Sequence, residues 1–384
     1  LVFIKNFSLI STMTGMNMAT KKRPPTQSRV KMLAARFYEP YAGLEIEEIA
    51  LPATNRNDVL VRVESCSICH TDLQFIDRGM ATIGQPPIIL GHEIAGSIET
   101  PDRNGYWQEG ERVIIPATIS CQKCLPCINN QESQCTDIQF IGNSIDGGFA
   151  QFIRVPADHP IRLPERLSYE DGSIVSNLFI GAYHVVFDRA VIHIKDIMVI
   201  FGAGGFGLSI LQMAKLRGAK VFIIDIFDWK LEIARALGAD WTLNSNKVPH
   251  CETAVLEILE QKADVIIETI GAPRTMVQAI NLLRKGGQLV LGGYTDNQLP
   301  FLAGQLIRNE FSLIGTMSAP RKKAPEVLRL VENGRLKTAP LITHRFSIED
   351  INQGLNTLRM GQSIRTVIYP WLDSFEKNSS SSKL

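Results

Sequence analysis

The stretch from Asp196 to Phe227, DIMVIFGAGGFGLSILQMAKLRGAKVFIIDIF, constrains this chain more than any other. It opens on a continuous apolar run, turns through glycines, continues with apolar residues at helical spacing and closes on a second apolar run. That pattern predicts strand, turn, helix and parallel strand, with the sheet buried on both faces. Gly202, Gly204 and Gly207 form GxGxxG at the turn. The first glycine permits the tight turn, the second lets the backbone approach a pyrophosphate, and the third lets helix and strand pack closely. The helix that follows presents its free N–H groups and positive dipole end to the phosphates. Gly202, Gly204, Gly205 and Gly207 are therefore cofactor-binding candidates. Asp225 ends the second strand, where a carboxylate accepts hydrogen bonds from the adenosine ribose and repels a 2′-phosphate. The unit predicts NAD in preference to NADP.

More units of the same kind follow. WKLEIARALGA reads as a helix, ADVIIETIG as a strand, TMVQAINLLRKGG as a helix closed by glycine and QLVLGGY as a strand. Alternation of this length predicts an α/β fold with a doubly wound parallel sheet. Upstream the pattern is short and β-rich, with DVLVRVESCSI, RVIIPAT and FAQFIRVP as strands. Downstream, APEVLRLVENGRL and IEDINQGLNTLRMGQ read as helices. The expected division is a β-rich domain over residues 30–180, a dinucleotide domain over 181–318 and a return to the first domain over 319–372. Residues 1–29 read as an extension that makes a poor signal peptide, since Lys5 and Asn6 interrupt its apolar run, and residues 373–384 as a mobile polar tail.

Six of the seven cysteines fall into two clusters in the β-rich part. Cys121, Cys124, Cys127 and Cys135 form CxxCxxC with a fourth thiol eight residues on, within a lobe spanning about residues 118–138. Four thiolates close a tetrahedral zinc site with no vacant position, so this one is structural. Iron–sulfur clusters also use close cysteine runs, but a chain with a nicotinamide site needs no second electron carrier. The other cluster is CSICHTD, with Cys69, His70, Thr71 and Asp72, followed by GHE, with His92 and Glu93. A catalytic zinc takes three protein ligands of Cys, His or carboxylate type and keeps one position open. Such a zinc acidifies a bound alcohol as a Lewis acid, and the alkoxide carbon then passes hydride to the nicotinamide.

CHTD, GHE, the four-cysteine lobe and GAGGFG with Asp225, in this order, resemble the zinc-containing medium-chain alcohol dehydrogenases. The resemblance covers about residues 30–370. It implies a Rossmann domain joined to a GroES-like catalytic domain built from both chain ends, with one catalytic and one structural zinc. It implies Cys69 and His92 as zinc ligands, Glu93 as a ligand that exchanges with water, Thr71 as the group that takes the alcohol proton, and Asp72 as the carboxylate that orients His92. It further implies His70 near the cofactor phosphates, Lys230 on the adenosine ribose and Arg365 on the pyrophosphate. Two positions depart from the family. The third zinc ligand, usually Cys, Asp or Glu, is Asn177, a poor ligand, and a His that ends a proton relay is Gln74. PATISCQKC and GNSIDGGFA are closest to the branch resembling 6-hydroxycyclohex-1-ene-1-carbonyl-CoA dehydrogenase. Phe75, Phe140, Phe179 and Ile180 are apolar residues that either line a substrate pocket or belong to the core.

Forty basic against thirty-nine acidic residues leave a net charge of +1. No strong field is available for nucleic acid or an anionic membrane, and no apolar run reaches transmembrane length. The expected substrate is a small alcohol or carbonyl compound, in a reducing cytoplasm. The resemblance also implies a homodimer or homotetramer joined through edge strands, with Glu310–Met317 as such a strand. Two competing readings keep the fold. One is a zinc-free quinone or enoyl reductase, favoured by Asn177 and opposed by Cys69, His92 and Asp225. The other is a non-catalytic NAD-binding sensor.

Overall fold

The computed structural model describes residues 31–299 and 303–372. The N-terminal extension and the polar tail lie outside the described residues. The stretch read as strand–turn–helix–strand forms the strand Ile197–Phe201, the helix Gly205–Leu216 and the strand Lys220–Asp225. These two strands pair in parallel, from Ile197 opposite Lys220 to Phe201 opposite Ile224. Numbered by their order along the chain, the six strands of this sheet lie as 3-2-1-4-5-6. All its pairings are parallel. The order reverses between Ile197–Phe201 and Ala263–Glu268, which leaves a crevice beyond the C-terminal ends of those strands.

The β-rich part forms a mixed seven-stranded sheet whose central member is Asp58–Ile68. One half of that strand pairs with Phe152–Pro156. The other end pairs with Arg365–Tyr369, so Ile68 faces Thr366. Residues before and after the parallel sheet therefore share one set of hydrogen bonds. The two sheets are joined by a continuous helical segment over Tyr169–Arg189 that widens twice into π-helix, at Val175–Phe179 and His184–Arg189. A single apolar cluster runs through it, from Ala95 and Ile114 of the mixed sheet, through Ile174, Leu178 and Ala182, to Ile200 and Leu208 of the dinucleotide unit.

One local reading differs from the structure. The helix expected to run through TMVQAINLLRKGG ends at Leu282, and Leu283 opens a strand that reaches Leu291. Pairing of Leu283 with Ala263 overrides the helical preference of the Leu-Leu-Arg-Lys run. Phe75, Phe179 and Ile180 are buried core, and Phe140 is partly exposed in a short strand, Gln139–Phe140, of the cysteine lobe. The strand Ser312–Gly315 lies at the edge of the parallel sheet, as Glu310–Met317 predicts.

The cysteine lobe docks on the segment that leads out of the parallel sheet. Arg321 donates its backbone N–H to the buried Glu132 carboxylate at 2.7 Å, Lys322 reaches the Asn130 amide oxygen at 2.8 Å, and the Thr118 and Ser318 hydroxyls meet at 3.0 Å.

A Cβ at Gly207 would collide with the carbonyl oxygen of Gly202, a backbone atom that cannot yield without opening the turn. Overpacking in a dense core costs roughly 1–3 kcal/mol and more where backbone must move. Gly207→Ala is expected to lose at least about 3 kcal/mol of stability, read as a lower denaturation midpoint. A midpoint equal to that of the unmodified chain would remove the packing role of this glycine.

Candidate active site

Cys69 sits between the strand Asp58–Ile68 and the helix His70–Arg78, where it caps the helix N-terminus. Asp72, in the first turn, accepts the Cys69 N–H through Oδ2 at 2.8 Å. Its other oxygen, buried and without a hydrogen-bond partner, lies 3.6 Å from Nδ1 of His92. His92 and Glu93 arrive from the turn before the strand Glu93–Thr100. That turn needs Gly91, which has φ 90° and lies against the ring of Phe149, 2.6 Å from where a Cβ would stand. Ligand atoms of Cys69, His92 and Glu93 all lie within 4.8 Å of one another. Burial disfavours an imidazolium at His92, but Asp72 and the Cys69 thiol outweigh it and hold its pKa well above the ordinary value. The surroundings therefore favour positive charge, which suits a cation on this triad.

Glu93 is fully buried and heavily bonded. It accepts from Arg365 Nε at 3.1 Å and Nη2 at 3.3 Å, from the Ser67 hydroxyl, and from Asn177 Nδ2 at 3.3 Å. Asn177 stands in the first π-helical stretch, a feature frequent at functional sites, and presents its amide to the carboxylate. The sequence reading named Asn177 as the third-ligand position but missed this donation. It also missed Ser67 and the pairing of Glu93 with Arg365, because no local pattern links residues 67, 93, 177 and 365.

Arg365 joins this triad to the glycine turn. Its guanidinium lies over Gly205, within 2.8 Å of where a Cβ would stand, so a larger residue there would displace it. Burial opposes its charge, but Glu93 and Cys69 keep its pKa above the ordinary value. Lys230 is buried, with its ammonium 4.8 Å from the Phe227 ring centre and 5.4 Å from that of Trp229. Burial lowers its pKa, and Arg365 adds to the effect. His70 keeps solvent exposure at the start of its helix, and crowding by surrounding protein, with the positive charges of Arg365 and Lys230, lowers its pKa. Arg365 thus sets a positive charge at the start of the Gly205–Leu216 helix, with Lys230 near enough to act on it, where phosphate charge is favoured. Gly204, at that helix N-cap, has nothing within 4 Å of its Cβ position, so open space lies where a pyrophosphate would approach.

Asp225 holds the turn from the other side. Its Oδ2 accepts the Ala203 N–H at 2.7 Å, and Oδ1 accepts those of Ile226 and Phe227 at 2.7 and 3.0 Å. Two exposed isoleucines flank the crevice and were not singled out from sequence. Ile226 follows Asp225, and Ile270 follows the strand Ala263–Glu268 beside Gly202. Large apolar side chains left exposed at the C-terminal ends of neighbouring strands are the signal that points to them.

The lobe cysteines form a second cluster. Sγ of Cys124 lies 3.4 Å from that of Cys127 and 3.8 Å from that of Cys135, and all four sulfurs lie within 4.8 Å of one another. None is in a disulfide. Cys135 Sγ accepts the backbone N–H of Cys121 at 3.2 Å and of Asp137 at 3.4 Å. N–H groups of Cys127 and Thr136 lower the Cys124 thiol to about 6, while burial and the neighbouring thiols raise Cys127 to about 12. Thiols this close ionise together only around a cation, and the donor set suits tetrahedral zinc.

Residues 205–333 match a family model described as zinc-binding dehydrogenase, and residues 55–165 one described as alcohol dehydrogenase GroES-like domain. An alcohol dehydrogenase of Geobacillus stearothermophilus is 31% identical over 325 residues, covering 83% of this chain and 94% of that protein. An NAD-dependent alcohol dehydrogenase of Sulfolobus acidocaldarius is 30% identical over 340 residues, covering 86% and 96% respectively. Among solved structures, the alcohol dehydrogenase of the archaeon Aeropyrum pernix superposes with a TM-score of 0.81 at 28% identity, covering 88% of this chain and all of that one.

The open space at Gly204 separates binding from folding. Gly204→Ala places a methyl where no atom of the described residues stands within 4 Å. It is expected to keep the denaturation midpoint and to weaken NADH binding about tenfold or more, read by fluorescence titration. Unchanged affinity would place the dinucleotide elsewhere.

Proposed function

The chain belongs to the zinc-containing medium-chain dehydrogenase family, oxidoreductases that act on CH–OH donors, and from that premise we propose a reversible, NAD-dependent oxidation of a small alcohol to its aldehyde, ketone or oxo-acyl counterpart, with a catalytic zinc held by Cys69, His92 and Glu93. The observation that carries the proposal is the Arg365 side chain, which bonds Glu93 at one face and lies on Gly205 at the other. It brings the metal-ligating triad and the dinucleotide turn to one crevice. When bound, zinc supplies Lewis-acid polarisation of the alcohol oxygen and the nicotinamide accepts hydride.

The remaining work falls to the chain's own side chains. Cys69, His92 and Glu93 are three ligands of the types a catalytic zinc takes, which leaves a fourth position for substrate. Asn177 serves as an amide donor that orients Glu93, so its poor ligand chemistry is no obstacle. Asp72 fixes the His92 ring from behind, leaving Nε2 for the metal. Thr71 is exposed at the start of the same helix, with its hydroxyl 3.6 Å from Cys69 Sγ. Its hydroxyl would accept a hydrogen bond from the alcohol and relay the proton by giving up its own, with the cofactor ribose hydroxyl, to solvent, since Gln74 cannot take it up. Gly202, Gly204, Gly205 and Gly207 shape the pyrophosphate turn, with His70, Lys230 and Arg365 as its charged surroundings. Asp225 presents its carboxylate to the adenosine ribose and disfavours a 2′-phosphate. Cys121, Cys124, Cys127 and Cys135 hold a structural zinc.

Desalted protein is expected to carry about two zinc ions per chain, and Cys69→Ala about one, by elemental mass spectrometry. About one ion in the unmodified protein, unaffected by Cys69→Ala, would favour the zinc-free reductase reading instead. With both sites filled, alcohols are expected to drive NADH formation, and Thr71→Val to lower kcat by roughly 10²–10⁴-fold, the usual range for loss of a proton-transfer group. A Thr71→Val enzyme of full kcat would remove Thr71 from the proton path.

A further inference from the structure

The helix Ile351–Arg359 leads through Met360 into Gly361, which has φ 68°. The ring of Phe227 fills the space a side chain would need there. A Cβ at Gly361 would stand 2.6 Å from Cζ and 2.7 Å from Cε2 of that ring. Phe227 belongs to the dinucleotide unit, between the strand Lys220–Asp225 and the helix Asp228–Ala236. It is held from behind, because Asp225 Oδ1 accepts its N–H at 3.0 Å and the Lys230 ammonium lies 4.8 Å from the ring centre. Gly361 belongs to the loop that leads, four residues later, to Arg365. Two contacts therefore span the crevice. Phe227 meets Gly361 beside Asp225, and Arg365 meets Gly205 at the phosphate turn.

We propose that Phe227 is a positioning residue for the cofactor: by seating its ring on Gly361 it holds the 361–364 loop, and with it the start of the strand that Arg365 opens, against the dinucleotide unit, so that the Arg365 guanidinium, bonded to Glu93, stands at Gly205 before the cofactor arrives. A group placed in advance costs less ordering on binding, and that difference appears as affinity. Phe227 follows two residues after Asp225, the carboxylate assigned to the adenosine ribose, so its effect is read on the ADP half of the cofactor. The inference rests on the dinucleotide reading given above.

The test is titration with NADH by fluorescence and with ADP-ribose by calorimetry, on the unmodified protein, Phe227→Ala, Phe227→Leu, Gly361→Ala and the Phe227→Ala/Gly361→Ala double variant. Phe227→Ala is expected to weaken both ligands about tenfold, with the denaturation midpoint within a few degrees of the parent. Phe227→Leu is expected to restore most of the loss, since a branched apolar side chain still reaches the glycine. Gly361→Ala is expected to weaken ADP-ribose in the parent and far less in the Phe227→Ala background, where the ring its methyl strikes is gone. ADP-ribose affinity within about twofold of the parent in Phe227→Ala, or additive effects in the double variant, overturns the proposal while leaving the dinucleotide site intact. A parent protein that binds neither ligand overturns the dinucleotide reading and this inference with it.

Discussion

The ion pair between Glu93 and Arg365 is the interaction on which the crevice depends. Both side chains are almost wholly withdrawn from solvent, at 0% and 3% exposure. Two charges removed from water are sustained only if their remaining bonding capacity is met. It is met here by Ser67 and Asn177 on the carboxylate and by the Ile364 carbonyl on the guanidinium, at 3.1 Å. Each residue begins a strand of the mixed sheet, and the partners come from opposite ends of the chain. The pair thus requires that the sheet has closed and that the helical segment carrying Asn177 has packed against it.

From this pair the geometry extends in two directions. Toward the β-rich part it sets the Glu93 carboxylate beside Cys69 and His92. Toward the parallel sheet it sets a guanidinium on Gly205, the first residue of the helix that follows the glycine turn. The joining segment over Tyr169–Arg189 is where both constraints meet, and its two π-helical widenings fall on Val175–Phe179 and His184–Arg189. The first places Asn177 opposite Glu93. The second brings Asp188 within 2.9 Å of His184 and 3.0 Å of Lys323, tying the segment to the chain leaving the parallel sheet.

The fold was legible because its signals are local. Apolar runs, the glycine turn and strand–helix alternation sit within short windows, and each window predicts one unit of the doubly wound sheet. The two thiol clusters were legible for the same reason, since Cys121 to Cys135 and Cys69 to Asp72 are near neighbours in the chain. What escaped is long-range. Glu93 with Arg365 and Phe227 with Gly361 are contacts between residues more than a hundred positions apart, and nothing in either local stretch names the partner. The overrun of the helix ending at Leu282 has the same origin, because Ala263 on a neighbouring strand decides where Leu283 goes. Asn177 was named as a ligand position, and its role as a donor to Glu93 follows only from where the carboxylate stands.

The docking of the cysteine lobe has a consequence in time. Arg321, whose N–H is held by Glu132, is made 189 residues after it. During synthesis the lobe therefore exists without its seat until the whole parallel sheet has emerged. Contacts across such spans form late, after the cost of closing a long loop has been met. In that interval four thiols lie close together in the chain, and early capture of a metal ion keeps them from pairing with one another. The lobe is then a waiting surface, shaped before its complement exists, and the segment that leaves the parallel sheet completes it.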